Sequence, residues 1–214
     1  MTPRPIILLG GGGHCMSVIE AAESAGLTIA GILDVPEKMG TEMMGYRVIG
    51  QDADVAQYAQ SADFVITVGS IKSTAVRRKL YERVKASGGR LACVVASTAR
   101  VSPHATLGEG TVVLHHALVN AGARIGANCI INSYAGIEHG SVVGAHTHVS
   151  TRAVINGDCH IGANVFIGSG VIAVQGIEVA DSCVVAAGSV VRHNLPKSGL
   201  YAGNPAIIKK SYEA

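Results

Sequence analysis

Between Val101 and Val191 the chain repeats every six residues. Stepping by six from Val101 gives Leu107, Val113, Val119, Ile125, Ile131, Ile137, Val143, Val149, Ile155, Ile161 and Ile167; after Ala173 the register resumes at Val179, Val185 and Val191. Fifteen of these sixteen anchors are Ile, Leu or Val, a run too long for chance. Four residues after each anchor the side chain is small: Ala105, Thr111, Ala117, Ala123, Cys129, Ala135, Ser141, Thr147, Ala153 and Cys159. A hexapeptide period is the signature of a parallel β-helix, in which three hexapeptides make one triangular coil. Glycines at 108, 126, 144 and 162 fall 18 residues apart, as a corner stacked coil upon coil requires. Stacked parallel strands lie about 4.8 Å apart.

Composition agrees with such a frame. Aromatics make up 4% of the chain, with no Trp, whereas Gly contributes 27 residues; a narrow interior takes Val, Ile and Ala, and its corners take Gly. The net charge is +2 and there is no basic run, which excludes nucleic acid as the expected partner and favours a small molecule. Cys15, Cys93, Cys129, Cys159 and Cys183 show no CxxC spacing. Those at 129, 159 and 183 fall on the small column, where reduced Cys is a core filler. Neither a signal peptide nor an apolar stretch long enough for a bilayer is read, so no membrane and a cytoplasmic location are expected.

Ahead of the repeat, apolar runs alternate with helical patterns. Strands are expected at Ile6–Leu9, Thr28–Leu33, Phe64–Val68 and Leu91–Val95, with a weaker one at Arg47–Ile49. Helices are expected over Cys15–Ala25, with a stripe of Met16, Ile19 and Ala22, over Asp52–Gln60 with Asp52 as cap, and over Ser73–Ser87. That alternation predicts a small parallel α/β sheet. Three segments follow: an α/β domain over 1–97, a β-helix over 98–195, and a tail over 196–214 that ends the coil and packs on its open edge.

Residues that interrupt the repeat are the candidates for chemistry. The position two after each anchor is usually small, as at Ala121, Ser133, Gly157, Ser169 and Ala187, but it carries His139, preceded by Glu138. With Ala121 and Gly157 one coil away on either side, a ligand has room beside the imidazole, and histidine is the usual general base near neutral pH. A solvated corner histidine fits the same spacing. His146 and His148 could line the same groove or simply face outward, and nothing in the spacing demands a metal. In the α/β part, Gly10 to Gly13 follow a strand and open a helix, where backbone N–H groups cradle phosphate. Asp34 ends the next strand, where dinucleotide folds hold a ribose hydroxyl, although the G-x-G-x-x-G fingerprint is not met. A glycine-rich turn that serves packing alone is the plainer alternative.

Taken together, the GGGGH turn, "VGSIKSTAVRRKLYE", "INSYAGIEHGSVVGAHTH" and "GNPA" resemble the hexapeptide-repeat nucleotide-sugar N-acetyltransferases of the bacillosamine and perosamine pathways, with sialic-acid O-acetyltransferases as kin. The resemblance implies a Rossmann-like domain followed by a left-handed parallel β-helix, an exception to right-handed crossovers. It also implies a homotrimer, with acetyl-CoA lying in the groove between neighbours and no metal. His139 would be the general base; the acid beside it, Glu138, is offered by the sequence itself as its orienting group and not by the resemblance. His148, Gly157, Ser169 and Ala187 would contact acetyl-CoA, and Asn132 would lie near the sugar amine. Gly11, Gly12, Gly13, His14, Asp34, Gly69 and Ser70 would form the nucleotide-sugar side.

The implied reaction is direct attack of the 4-amino group of a nucleotide-linked 4-amino-4,6-dideoxyhexose on the thioester. Two departures stand out. In those relatives an acid follows the base, whereas here Gly140 follows it; and Asp34 is followed by Val35 rather than a second aspartate, leaving UDP and GDP both open. Three rival functions share these features: a sugar or sialic-acid O-acetyltransferase, a γ-carbonic-anhydrase-like metalloenzyme, and a non-catalytic nucleotide-sugar binder.

Overall fold

The computed structural model describes residues 4–71 and 73–212. A five-stranded sheet opens the chain, built from β1 (Ile6–Leu9), β2 (Ile29–Asp34), β3 (Glu42–Met43), β4 (Tyr46–Gln51) and β5 (Asp63–Ile66) in the order β3-β4-β2-β1-β5. Only the β3–β4 hairpin is antiparallel; β4, β2, β1 and β5 run parallel, as a Rossmann-like unit requires. Helices α1 (Gly13–Ser24), α2 (Val55–Tyr58) and α3 (Ala75–Ala86) join them.

Several expected details shift. Helix α1 begins two residues before the expected start, placing His14 in its first turn, and its buried stripe is Cys15, Val18, Ile19, Ala21 and Ala22 while Met16 is exposed. Asp52 does not cap the short helix: the Gln51 backbone N–H donates to the Asp54 carboxylate at 2.8 Å in a capping box. The expected strand over Leu91–Val95 is divided, because Leu91 makes one bridge to Phe64 whereas Val94–Val95 pair with Val112–Val113 in the coil.

From Val94 onward the chain winds as a triangular parallel β-helix, each strand pairing with the one 18 residues on, as Val119 pairs with Ile137. The first side holds strands at 100–101, 118–119, 136–137, 154–155, 172–173 and 190–191. The second holds 106–107, 124–125, 142–143, 160–161 and 178–179. The third holds 94–95, 112–113, 130–131, 148–149, 166–167 and 184–185. The tail extends the third side with Gly199–Ala202, parallel to Val184–Val185, and Ile207–Ser211, antiparallel to that strand.

The anchors point inward and, from Val113 onward, are all buried. Where Ala173 replaces an anchor, the larger Val171 and Ile177 fill the neighbouring small positions, so the coil's interior stays filled. Polar members of the small column stitch one coil to the next. The Thr111, Ser141 and Thr147 hydroxyls each donate at 2.8 Å to a carbonyl, those of Gly126, Asn156 and Gly162. The Cys129, Cys159 and Cys183 thiols lie against carbonyl oxygens in the same way. Burial pushes Cys129 up to about 11, so it stays a protonated filler. At the glycine column the backbone of the next coil leaves no space: a Cβ on Gly126 would lie 2.6 Å from the Ala145 nitrogen.

The outer faces of the three sides differ. On the third side the outward residues Val94, Val112, Ile130 and His148 are buried, because the α/β unit sits on them and α1 packs against Val94, Val112 and Leu114. Arg77 of α3 pins this junction. It is fully buried and donates to the Ile66 and Val68 carbonyls at the end of β5 (2.6 and 2.9 Å) and to the Asn128 carbonyl of the coil (3.2 Å). Burial pulls its guanidinium down to about 10. Tyr81 and Lys85 add bonds to Glu109.

Candidate active site

Two groups of candidate residues stand on different parts of the coil. His139 and Glu138 lie on the corner between the first and second sides, with Gly157 one coil on. A Cβ on Gly157 would lie 2.6 Å from His139 Nε2 and 3.1 Å from Nδ1, so the imidazole fills the space that a side chain at 157 would need. The ring is exposed in the single chain. Glu138 does not meet it, since its carboxylate accepts from Asn120 Nδ2 at 2.7 Å. The carboxylate that does approach is Asp158, whose Oδ1 lies 4.0 Å from His139 Nδ1.

His148, Asn132, His14, Gly69 and Ser70 gather at the junction of the α/β unit with the third side. His148 Nδ1 lies 2.8 Å from the Ser70 carbonyl, which can only accept, so this nitrogen carries the proton; Nε2 then accepts from Asn132 Nδ2 at 3.2 Å. Burial lowers His148 to about 4 and His14 to about 3, with Arg77 lowering both further, so both rings are neutral. Their centroids are 6.4 Å apart, and Gly69 lies against His14. His14 Nε2 and Ser70 Oγ are buried without a hydrogen-bond partner, a pair of orphaned polar atoms that a polar ligand would satisfy. A cleft of about 210 Å³ continues from here, lined by Ser70, Thr74, Arg78, Asn164, Phe166 and Tyr212 among others.

The four glycines of the turn divide in function. Gly10 has φ +102°, and a Cβ on Gly11 would lie 2.8 Å from Asp34 Oδ2, so these two serve the turn. Gly12 and Gly13 meet nothing and are exposed at the start of α1, which has no side-chain cap, so first-turn N–H groups are open to an anion. Asp34 braces this turn. Its Oδ2 accepts from Gly11 N (2.7 Å) and Lys38 Nζ (2.9 Å), and its Oδ1 from Val35 N (2.8 Å). Burial alone would raise Asp34, but Lys38 and the two backbone donors hold it below the usual carboxylate range.

Ser169 and Ala187 are exposed on the corner between the third and first sides, the corner that also carries Asn132; Ser169 Oγ lies 3.0 Å from Ser150 Oγ. His146 is on a different corner, between Tyr81 and Asn128. Among the described residues no three His, Cys, Asp or Glu side chains are grouped to hold a metal ion, and no helix is long and apolar enough to cross a membrane.

Residues 5–84 match the family model described as the PglD N-terminal domain. The perosamine N-acetyltransferase of Caulobacter crescentus, solved as a histidine-to-asparagine variant with CoA and GDP-perosamine, is similar at 30% identity over 97% of each chain, with a TM-score of 0.89. The chain belongs to the hexapeptide-repeat nucleotide-sugar N-acetyltransferase family. Within this family, the acetyltransferase domain of PglB from Neisseria gonorrhoeae is similar at 29% identity, covering 96% of this chain and 99% of that one, with a TM-score of 0.88. WeeI from Acinetobacter baumannii, at 21% identity and a TM-score of 0.76, shares the fold. No curated protein sequence matches. For this member of the N-acetyltransferase family, sequence reasoning did not identify Asp158, Asn120 or Arg77. Arg77 sits in a quoted motif, but its partners are main-chain carbonyls, which leave no trace in a sequence.

Proposed function

We propose that the protein acetylates the 4-amino group of a nucleotide-linked 4-amino-4,6-dideoxyhexose, with acetyl-CoA as donor and His139 as general base. The general class, an acetyl-CoA-dependent sugar N-acetyltransferase, is that of the family. Solved relatives hold acetyl-CoA in one case, and CoA with GDP-perosamine in another. The observation that carries the reading is the His139 ring laid open over Gly157, where a bulkier residue would displace it.

The reaction needs little machinery. An alkylammonium loses a proton to His139 Nε2, the free amine attacks the thioester carbonyl to form the C–N bond, and the C–S bond then breaks, CoA leaving as a thiolate that takes the remaining ammonium proton of the adduct, so no acyl-enzyme is formed. His148, neutral and fixed by Ser70, and Asn132 would hold the reacting groups, while the open N–H groups at Gly12 and Gly13 suit a diphosphate. The Gly157 N–H is the donor we assign to the developing oxyanion.

Symmetry supplies what one chain lacks. The His139 corner and the Asn132, Ser169 and Ala187 corner flank the first side from opposite edges. That side's outer column opens with the exposed Arg100 and is apolar from there on, through Leu118, Gly136, Val154, Ile172 and Val190, with Ile172 43% exposed. Packing three copies through their first sides brings the His139 corner of one chain to the Asn132 corner of the next. A homotrimer with its site between chains, and a cytoplasmic home where acetyl-CoA is made, fit this arrangement.

The test is mass-spectrometric detection of product with acetyl-CoA and a panel of UDP-, GDP- and dTDP-linked 4-amino sugars beside free sialic acid. One amino sugar should be acetylated, and His139→Asn should remove transfer by roughly a hundredfold or more while acetyl-CoA still binds. Undiminished turnover in that variant sinks the assignment, and acetylation of sialic acid alone favours the O-acetyltransferase.

A further inference from the structure

A base at His139 needs its ring held with Nδ1 protonated and the Nε2 lone pair turned to the substrate. Glu138 does not supply this, because its carboxylate is taken by Asn120. Gly140 follows the base and has no side chain to offer. The space beside Gly140 is nevertheless filled from the next coil: a Cβ built on Gly140 would run into Asp158 Oδ1. The Asp158 backbone N–H donates to the His139 carbonyl at 2.9 Å, so the two residues are locked in register across the coil boundary. Its Oδ1 then stands 4.0 Å from His139 Nδ1, within ion-pair range of the imidazolium. Gly157 completes the arrangement by leaving the ring the space beside the backbone that carries Asp158.

We propose that Asp158 is the positioning residue of His139, its carboxylate delivered from the neighbouring coil into the place a side chain at 140 would occupy. The proposal rests on the general-base reading of His139. The carboxylate acts by its charge from 4.0 Å, favouring hydrogen on the Nδ1 side and stabilising the imidazolium formed as Nε2 takes the ammonium proton; the N–H bond of the substrate breaks, the Nε2–H bond forms, and Asp158 remains ionised opposite the imidazolium. The glycine at 140 and the acid at 158 are thus one device. An acid at both places would crowd the same volume, and an acid at neither would leave the ring unheld.

The geometry provides a clean test. Asp158 has φ +58° and Gly140 φ +69°, the left-handed region that Asp and Asn tolerate best among residues with a side chain, so exchanging them keeps the backbone. Asp158→Asn is expected to lower kcat roughly tenfold, with KM for both substrates and the unfolding midpoint unchanged. Moving the carboxylate across, in Gly140→Asp with Asp158→Gly, which clears the shared volume and suits the left-handed φ at 158, is expected to restore most of that loss. An Asp158→Asn enzyme with full kcat, or one whose lost kcat the relocated carboxylate does not recover, overturns the proposal. His139→Asn run alongside separates the two claims. Full turnover there defeats the base itself, whereas an inactive His139→Asn beside a fully active Asp158→Asn defeats only the positioning role.

Discussion

Two histidines, the half-buried His14 and the buried His148, tie the stability of the α/β junction to pH. Each is held neutral in the fold, at about 3 and about 4, against 6.5 when unfolded. Below pH 6.5 the unfolded chain takes up protons that the folded chain refuses, so stability present above that pH is lost as pH falls toward 4. The loss amounts to roughly 2 kcal/mol per histidine by about pH 5. Thermal unfolding followed from neutral to acidic pH should show this decline, and His14→Phe, which keeps a ring but takes no proton, should reduce its slope. An equally steep decline in the variant would show that His14 does not contribute.

The elements owe their shape to glycines used for two different reasons. At Gly126 the conformation is ordinary but the next coil's backbone is 2.6 Å from where a Cβ would be, whereas Gly170 has φ +68° with open space around it. Gly126→Ala is therefore expected to cost roughly 2–4 kcal/mol, since a rigid backbone must move. Gly170→Ala should cost about 1 kcal/mol, the strain of the left-handed region alone. Denaturant unfolding of the two variants checks the order, and equal losses would mean that the stacked corner adjusts. The period of 18 exposed this column in the sequence, because the contact repeats with the coil. Helix α1 was less legible: its stripe falls on Cys15, Val18 and Ala22 rather than Met16, because the start of the helix is set by the glycine turn and by what α1 packs on.

For the whole molecule, the proposed site is divided between copies, and subunit mixing tests this directly. An inactive His139→Asn chain and an inactive His148→Ala chain, unfolded together at equal amounts and refolded as hybrids, should regain about a quarter of parental activity, since one neighbour pair in four joins two intact halves. If both histidines serve a site within one chain, no hybrid gains activity. Light scattering should accordingly give the mass of three chains, and a monomer would remove the basis for the shared site.

Local sequence determined whatever repeats or is punctuated. The anchors, the small column and the stacked glycines fix the coil, because each coil meets the next in the same way. The glycine turn marks the start of α1 because only glycine suits φ +102° at Gly10. His139 stood out because it is bulky in a column of Ala and Gly. Tertiary structure decided what depends on neighbours distant in sequence: Asn120 takes Glu138, Asp158 reaches His139 from the next coil, and Arg77 uses its three bonds to join main-chain carbonyls of both units. Those contacts are set by how the coil closes and where the α/β unit lands, and a side chain's partner across such a boundary has no fixed spacing to read.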